Sequence, residues 1–347
     1  MKKELLMGTA LVSTLGAASI AEAVTATMSG NHQTGVEFDS PTGGTDTNAQ
    51  TTDNNFTVSL SETTDGGMTI SSSFKLMDED AAPGDRDAGF TLAFTDGSKL
   101  DVLNAGNASG SHAVSIPGSA GSEGVATTST NAASTDLDVG ATATVLGVEY
   151  HTASDFVADG LKMSFSASTD NGATATATYR VDSHYAIGAT YVTDLGDSSV
   201  TIGAGISESQ GSKTSTSVTN DNGNFHVGLS AVTGDLTVGV GIADGTAAGV
   251  NLTGADEAEY EVMKAGVKYV SGDLTFNVGI ASGDAKDNTV GSSGGSDDSI
   301  DKTSASISYA VASGVTAILG YTSVEASDEG TATDDGSAWY IGANMAF

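Results

Sequence analysis

Cysteine is absent from the 347-residue chain, so neither a disulfide bridge nor a thiolate metal site is possible. Basic residues are scarce: 12 lysines and arginines stand against 44 acidic residues, and the formal net charge is −32. Binding nucleic acid requires a basic face, so this charge argues against nucleic acid as a partner. Only 38% of the residues are hydrophobic, too few for a thick apolar core. The remaining possibilities are a disordered chain, a repetitive solenoid or a hollow barrel with a wet interior.

Long apolar runs are also missing, with one exception at the N-terminus. Lys2 and Lys3 precede an apolar stretch over residues 5–20, and Ala21-Glu22-Ala23 has the small-x-small form of a cleavage site. This three-part pattern predicts a cleaved signal peptide over residues 1–23 and an exported mature protein. No later segment reaches 18 consecutive apolar residues, so any membrane crossing has to use β-strands.

Most of the mature chain, residues 24–347, consists of short segments in which apolar and polar residues alternate. Leu236–Ile242 (LTVGVGI) and Leu274–Ile280 (LTFNVGI) are examples, and this period of two predicts β-strands. The connections alternate between tight glycine turns such as Asp65-Gly66-Gly67 and long polar stretches such as 208–224 and 282–302, the longest being residues 105–143. Short loops at one end and long loops at the other are typical of an outer-membrane β-barrel, whereas a soluble sandwich has no reason for them.

The alternating segments number seventeen, whereas bacterial single-chain barrels have an even number of strands. The discrepancy lies at residues 173–192, where the apolar phase continues through Tyr179, Tyr185 and Tyr191. One long strand there gives sixteen strands, while a turn near Asp182–His184 together with a further strand gives eighteen. We expect an all-β, transmembrane, antiparallel up-and-down β-barrel with sixteen strands, because this count requires no additional element.

The last ten residues, AWYIGANMAF, form an amphipathic segment without a polar tail. Its alternation assigns Trp339 and Phe347 to the lipid side and Tyr340 to the lumen. A barrel has to pair its last strand with its first, near Val24–Phe38, to leave no open edge in the membrane. Aromatic residues also lie mostly toward strand ends, as the girdles of a membrane barrel require. The sequence therefore predicts that Trp339, Tyr340 and Phe347 belong to the closing seam.

Three stretches carry a resemblance to a known family: VTATMSGNHQTGVEF at 24–38, FTVSLSETTDGGMTISSSFKLMDED at 56–80 and AWYIGANMAF at 338–347. They resemble the first strand, an early hairpin and the last strand of the general-diffusion porins of alphaproteobacterial outer membranes. The resemblance implies a homotrimer of sixteen-stranded barrels that admits ions and small hydrophilic solutes by passive diffusion. It also implies that residues 105–143 fold inward as a constriction loop. Outer-membrane lipid and the insertion machinery, which reads Phe347, are the further partners it implies.

The candidate functional residues are charged side chains of the lumen. Basic residues within strands fall in phase with polar neighbours, which assigns them to the wet side because a lysine facing lipid costs about 2–4 kcal/mol. These candidate pore-lining residues are Lys75, Lys162, Arg180, Lys264 and Lys268. The resemblance implies that loop acids face them, and the candidates are Asp101, Glu123, Asp136 and Asp138. The alternative is that the lysines lie at the rims of the barrel.

Arginine is too scarce for the dense basic cluster of the family, since only Arg86 and Arg180 are present. We therefore expect a channel that prefers cations. The five histidines are dispersed and no catalytic constellation stands out, so we expect no enzymatic activity and no cofactor other than calcium.

The acidic segment GGSDDSID at 294–301 is a candidate calcium site, with Asp297, Asp298 and Asp301 as ligands. It lacks the ligand spacing of an EF-hand, and a solvated acidic loop is the alternative. A second class of function also fits the composition, namely a secreted or surface-attached acidic β-rich structural protein or adhesin that binds calcium. The terminal strand ending in Phe347 favours the barrel, because a solenoid does not need it.

Overall fold

The structure is a computed structural model that describes residues 24–42, 44–78, 89–103, 106–118, 134–137, 146–169, 180–213, 218–248, 257–287, 297–328, 331–332 and 335–347. The predicted signal peptide at 1–23 and much of the predicted loop at 105–143 lie outside these residues. The strands are β1 (Thr25–Pro41), β2 (Thr47–Thr63), β3 (Thr69–Asp78), β4 (Phe90–Ala93), β5 (Lys99–Val102), β6 (Gly147–His151), β7 (Leu161–Thr169), β8 (Arg180–Leu195), β9 (Ser198–Lys213), β10 (Val218–Thr233), β11 (Leu236–Ala248), β12 (Glu257–Ser271), β13 (Leu274–Asp287), β14 (Asp297–Ala312), β15 (Val315–Asp328), β16 (Thr331–Ala332) and β17 (Gly336–Ala346).

Sixteen of these strands form a closed antiparallel barrel, which confirms the predicted fold. Each strand pairs with its neighbours along the chain, and β17 returns to pair with β1, from Asn31 opposite Ala346 to Pro41 opposite Gly336. The exception is β16, which has two residues and only extends the end of β15. Among the described residues, no helix is long and apolar enough to cross a membrane.

Strand β8 resolves the choice between sixteen and eighteen strands. It continues through Asp182–His184, where eighteen strands would require a turn. The expectation of an unbroken phase is nevertheless wrong, because the pairing with β9 shifts register between Val181 and Ser183. Such a bulge opposes two residues on one strand to one on the other, so an alternation deduced from sequence cannot be extended across it.

The connections differ in length at the two ends of the barrel, as the sequence predicts. Gly234 and Gly272 have positive φ values of 55° and 61° in two-residue turns, a conformation that glycine adopts without steric cost. At the other end, the loops expected at 208–224 and 282–302 are mostly strand, since β9, β10, β13 and β14 continue into them. The strands therefore extend beyond their apolar segments.

The two faces of the wall differ in chemistry. Outward positions carry large apolar side chains such as Ile202, Val240 and Met263, which are 39%, 49% and 57% exposed. Inward positions carry polar side chains, and His184 and Asn224 are buried there. This arrangement, with apolar residues outside and polar residues inside, is that of a barrel whose outer face contacts lipid.

The closing seam is packed by an aromatic residue on its inner face. Gly35 of β1 lies opposite Gly342 of β17, and the ring of Tyr340 occupies the space that a side chain at either glycine would need. Tyr340 is fully buried on the inner face. On the outer face, the rings of Trp339 and Tyr321 pack with centroids 4.7 Å apart. Tyr340 thus covers the inner face of the seam between the first and last strands, while the outer ring contact joins β17 to β15.

Deleting Phe347 is expected to reduce assembly of the barrel several-fold, because Phe347 anchors the end of β17. Its backbone exchanges two hydrogen bonds of 3.1 Å with Gly30, and its ring lies 5.9 Å from that of Phe56. The measurement is the fraction of protein that migrates as a compact, heat-modifiable barrel on an unheated detergent gel of membrane fractions. The Phe347→Tyr variant retains both contacts and serves as the matched control. Assembly of the deletion variant at the control yield would contradict this role.

Candidate functional site

The connection between β5 and β6 runs along the inner face of the barrel where it is described. Residues 106–118, which include a 3₁₀ turn at Gly110–His112, and residues 134–137 contact the wall formed by β8 to β13. The inward positions that face this loop are occupied by nine glycines, which we call the glycine track: Gly188, Gly203, Gly205, Gly228, Gly239, Gly241, Gly266, Gly279 and Gly283.

The glycine track allows the loop to approach the wall closely. A Cβ atom at Gly241 would lie 2.7 Å from Leu137, and one at Gly279 would lie 2.9 Å from the carbonyl oxygen of Pro117. At Gly266 a Cβ atom would overlap that same oxygen. Any larger residue would therefore displace the loop. This role was not predicted from the sequence, although glycine at alternate strand positions was a usable signal, since a strand glycine often marks close approach of another backbone.

A small apolar cluster supports the second described part of the loop. Leu137 packs against the inward side chains Ala243 and Val262, and Ile116 from the first part joins the cluster. The side-chain amide of Asn224 donates a hydrogen bond of 3.3 Å to the carbonyl oxygen of Leu137. Both parts of the loop thus share contacts with the same region of the wall.

Glu149 of β6 is an anchor of the loop that sequence analysis missed. Glu149 is 3% exposed, and its carboxylate accepts a hydrogen bond of 2.8 Å from the amide of Gly106 and one of 2.9 Å from the hydroxyl of Ser111. The amide of Ala108 donates a third bond, 3.0 Å long, to the hydroxyl of Ser166 on β7. Hydrogen bonds to a carboxylate are roughly twice as strong as those between neutral groups. Glu149 therefore fixes the first turn of the loop.

His112 is the second anchor and sequence analysis also missed it. Its Nε2 lies 2.7 Å from the hydroxyl of Ser164 and its Nδ1 lies 2.6 Å from the hydroxyl of Thr190. Burial, together with the positive charges that His151 and Lys162 can carry nearby, lowers the pKa of His112 to about 4. The imidazole is therefore neutral at pH 7, and in that state it can donate through one nitrogen and accept through the other.

The structure places four of the five predicted pore-lining residues at inward positions of the wall: Lys75 on β3, Lys162 on β7, and Lys264 and Lys268 on β12. Lys162 and Lys268 lie near the turn ends of their strands. This is the position at the rim of the barrel that the alternative interpretation predicts. Arg180 is the first residue of β8, opposite Ser212 and beyond the bulge, and its side chain lies outside the described part.

The predicted loop acids are separated in the structure. Asp101 belongs to β5 and lies on the wall, so its assignment to the loop is wrong. Glu123 and Asp138 lie outside the described residues. Asp136 is on the loop, with its side chain 82% exposed and its carboxylate 3.8 Å from the ammonium group of Lys264.

A cavity of about 260 Å³ separates the loop from the wall beside this pair. Asp136 and Lys264 line it together with Lys302, an inward residue of β14 that sequence analysis did not select. An acidic group on the loop thus pairs with Lys264 of the wall and lines the same cavity as Lys302. Charged side chains that line an opening are a means of selecting ions.

The candidate calcium ligands do not lie in a loop. Residues 297–301 form the start of β14, where side chains alternate between the two faces. Asp298 is inward and 8% exposed, whereas Asp301 is outward and exposed, so these two carboxylates do not converge on one ion. The side chain of Asp297 lies outside the described part, and calcium binding here stays a prediction.

The double variant Val114→Cys/Gly228→Cys is expected to form a disulfide bridge under oxidising conditions. A Cβ atom at Gly228 would lie 3.0 Å from Cβ of Val114, and bridging requires a separation of roughly 3.5–4.5 Å, which a small shift of the loop provides. Because the chain has no cysteine, the gel-mobility shift of the bridged form has no background. Val114→Cys combined with Leu229→Cys, whose side chain is outward, is the control and stays unbridged. Equal yields from the two pairs would contradict the inward path of the loop.

Docking of the loop is expected to weaken as pH falls from about 6.5 to about 4. The pKa of His112 is about 4 in the docked loop and 6.5 when the imidazole is solvated, so proton uptake favours the undocked loop. The loss amounts to at most about 1.4 kcal/mol for each pH unit. Hydrogen exchange of the amides at 108–114 measures it. The neutral His112→Asn variant is the control, and a pH dependence equal to that of the wild type in this variant would contradict the assignment.

Solved structures of outer-membrane channels match the whole barrel. The anion-selective porin from Comamonas acidovorans aligns with 11% identity and a TM-score of 0.63, over 94% of this chain and 100% of that one. The trimer form of OmpT from Vibrio cholerae has 14% identity and a TM-score of 0.60, over 94% and 100%. The channel DcaP of Acinetobacter baumannii has 10% identity and a TM-score of 0.64, over 96% and 99%. At these identities the likeness establishes the fold alone.

The sequence itself provides the assignment to a family. No curated protein matches it. The family model described as Gram-negative porin matches residues 8–329, which is most of the chain, including every strand from β1 to β15. The closed sixteen-stranded barrel and the loop lying along its inner wall agree with that match. The chain belongs to the Gram-negative porin family.

Proposed function

We propose that this porin forms a water-filled channel for the passive diffusion of ions and small hydrophilic solutes across the outer membrane. The observation that carries the proposal is the contact between residues 108–118 and the glycine track, which narrows a barrel of polar interior. Transport through such a channel needs no reaction chemistry, and the protein is accordingly not an enzyme. Within the family we assign it to the general-diffusion porins of alphaproteobacteria, from the resemblance of its first and last strands.

The channel is proposed to prefer cations. The net charge of −32 produces a negative potential that concentrates cations near the entrance. Asp136 is the exposed carboxylate of the described loop, and it lines the cavity together with Lys264 and Lys302. Lys75, Lys162, Lys264 and Lys268 are proposed to line the pore, and their scattered positions are unlike a dense basic cluster.

The porin is proposed to assemble as a homotrimer in the outer membrane. Strands β4, β5 and β6 have four, four and five residues, whereas a tilted strand needs about 9–11 residues to cross the membrane. A wall made of such short strands is lower than the lipid layer, so contact with a neighbouring protomer suits it better than contact with lipid. The related OmpT of Vibrio cholerae is described in a trimer form, which supports the same state here. Recognition of Phe347 by the insertion machinery completes the proposal.

Purified protein is expected to give stepwise conductance in planar bilayers, with a reversal potential in a salt gradient that indicates cation preference. Asp136→Asn is expected to lower the ratio of cation to anion permeability by a factor of about five at most, because a unit charge at 4 Å in water contributes about 1 kcal/mol. Asp244→Asn, which removes an outward carboxylate, is the matched control and leaves the ratio unchanged.

The two parts of the proposal fail in different ways. Absence of any conductance from correctly folded protein would contradict the channel. Conductance with anion preference would contradict the selectivity and leave the channel standing. An equal effect of the Asp136 and Asp244 variants would show that the overall charge, and not the loop carboxylate, sets the preference.

A further inference from the structure

Three potential metal ligands converge on the inner wall beneath the start of the loop. Asp101 of β5 lies directly opposite Glu149 of β6, and His151 follows Glu149 on the same face. Nε2 of His151 is 2.9 Å from Oδ2 of Asp101 and 3.7 Å from Oε1 of Glu149. All three ligand atoms lie within 4.8 Å of one another, and among the described residues this is the one group of three that does so.

The spacing of these atoms suits a small divalent ion. Bonds from zinc to nitrogen or oxygen are about 2.0–2.2 Å, so neighbouring ligands of a tetrahedral ion lie roughly 3.3–3.5 Å apart. The observed separations of 2.9 Å and 3.7 Å bracket that value. Two carboxylates balance the charge of the ion, and no lysine forms an ion pair with either of them among the described residues. The side chains of His151 and Asp101 are 21% and 16% exposed, so an ion can enter from the lumen.

Each ligand is held in place by a neighbour. The hydroxyl of Ser164 lies 2.7 Å from Nδ1 of His151, and the hydroxyl of Thr91 donates to the second carboxylate oxygen of Asp101. The second oxygen of Glu149 accepts the amide of Gly106. Contacts of this kind orient the ligands of protein metal sites and fix the tautomer of a ligating histidine.

We infer that Asp101, Glu149 and His151 bind a divalent transition-metal ion of the zinc type. One imidazole and two carboxylates are ligands that zinc accepts, and the lumen supplies water for the open position. Glu149 is also the residue that anchors Gly106 and Ser111, so the ion sits at the root of the loop. The effect of the ion on the channel rests on the proposed function, whereas binding of the ion to these residues does not.

A chain of shared hydrogen bonds connects this site with the loop. The hydroxyl of Ser164 lies 2.7 Å from both Nδ1 of His151 and Nε2 of His112, and Nδ1 of His112 lies 2.6 Å from the hydroxyl of Thr190. Without metal, the Nε2–H of His151 donates to Asp101. Its Nδ1 then accepts from Ser164, which in turn accepts from His112, while Thr190 donates to His112.

Metal binding reverses the direction of every bond in this chain. An ion on Nε2 of His151 requires the proton to be on Nδ1, which then donates to Ser164. The hydroxyl of Ser164 turns to donate to Nε2 of His112, and Nδ1 of His112 donates to Thr190. Both imidazoles stay neutral and both hydroxyls keep their protons, so the chain takes up and releases no net proton. The ion thereby changes the tautomer of His112, a residue on the loop.

Zinc binding is measured by titration calorimetry of Zn²⁺ into detergent-folded protein purified without a polyhistidine tag. One Zn²⁺ is expected per protomer, and Asp101→Asn and His151→Gln are expected to bind at least about 10-fold more weakly. His32→Gln, which changes a histidine on β1, is the matched control. Heat-modifiable gel mobility verifies that each variant is folded. Absence of binding, or binding that neither site variant weakens, would overturn the site.

The connection with the loop is measured by the ¹⁵N shifts of the His112 side chain, which differ between the two tautomers. Zn²⁺ is expected to exchange the shifts of Nδ1 and Nε2 in the wild type and to leave them unchanged in Ser164→Ala. Unchanged shifts in zinc-loaded wild type would overturn the relay. A change of single-channel conductance on adding Zn²⁺, absent in His151→Gln, would support its effect on the loop. A wild type that binds Zn²⁺ but never conducts would refute the proposed channel and leave the metal site standing.

Discussion

The requirement that every backbone amide within the lipid be paired determines the rest of this structure. Water is absent from the hydrocarbon layer, so an open sheet edge would leave a row of unpaired donors and acceptors. Pairing of β17 with β1 removes that edge, and the two hydrogen bonds between Phe347 and Gly30 carry the pairing to the last residue. Closure also explains the even number of strands, since the last strand can pair antiparallel with the first only when the number is even.

Closure divides side chains strictly between lipid and lumen, and this creates the problem that the glycine track solves. Large inward residues would fill the lumen, yet a loop has to lie there and still satisfy its own polar backbone. Glycine at the inward positions of β8 to β13 lets the loop backbone pack against the wall, at a cost of roughly 0.5–1 kcal/mol for each strand glycine relative to alanine. The glycines are therefore concentrated where the loop lies, and the anchors Glu149 and His112 hold it there.

The period of two and the glycine turns were sufficient to predict the strands from sequence, because both signals are local. The prediction of an unbroken alternation was wrong at Asp182, because a bulge depends on the partner strand and leaves no mark in the alternation of the sequence. The predicted loop boundaries were wrong at 282–302. There β13 and β14 continue as polar strands beyond their apolar segments. Asp101 was misplaced although it precedes the loop predicted at 105–143, since it belongs to the strand that leads into that loop.

The site was predictable only in part, because its contacts join residues far apart in the chain. The alternation of apolar and polar residues was sufficient to place Lys264 in the lumen. Its neighbour Asp136 is brought there by the loop, and no local sequence pattern specifies the path of that loop. Ser164 shows the limit most clearly. It is one of several similar serines on β7, and its hydroxyl gains a role only because the pairing of β7 with β6 and the inward path of the loop set it between His151 of the wall and His112 of the loop. A single hydroxyl shared by two imidazoles cannot donate to both, so the state of the wall and the state of the loop depend on each other.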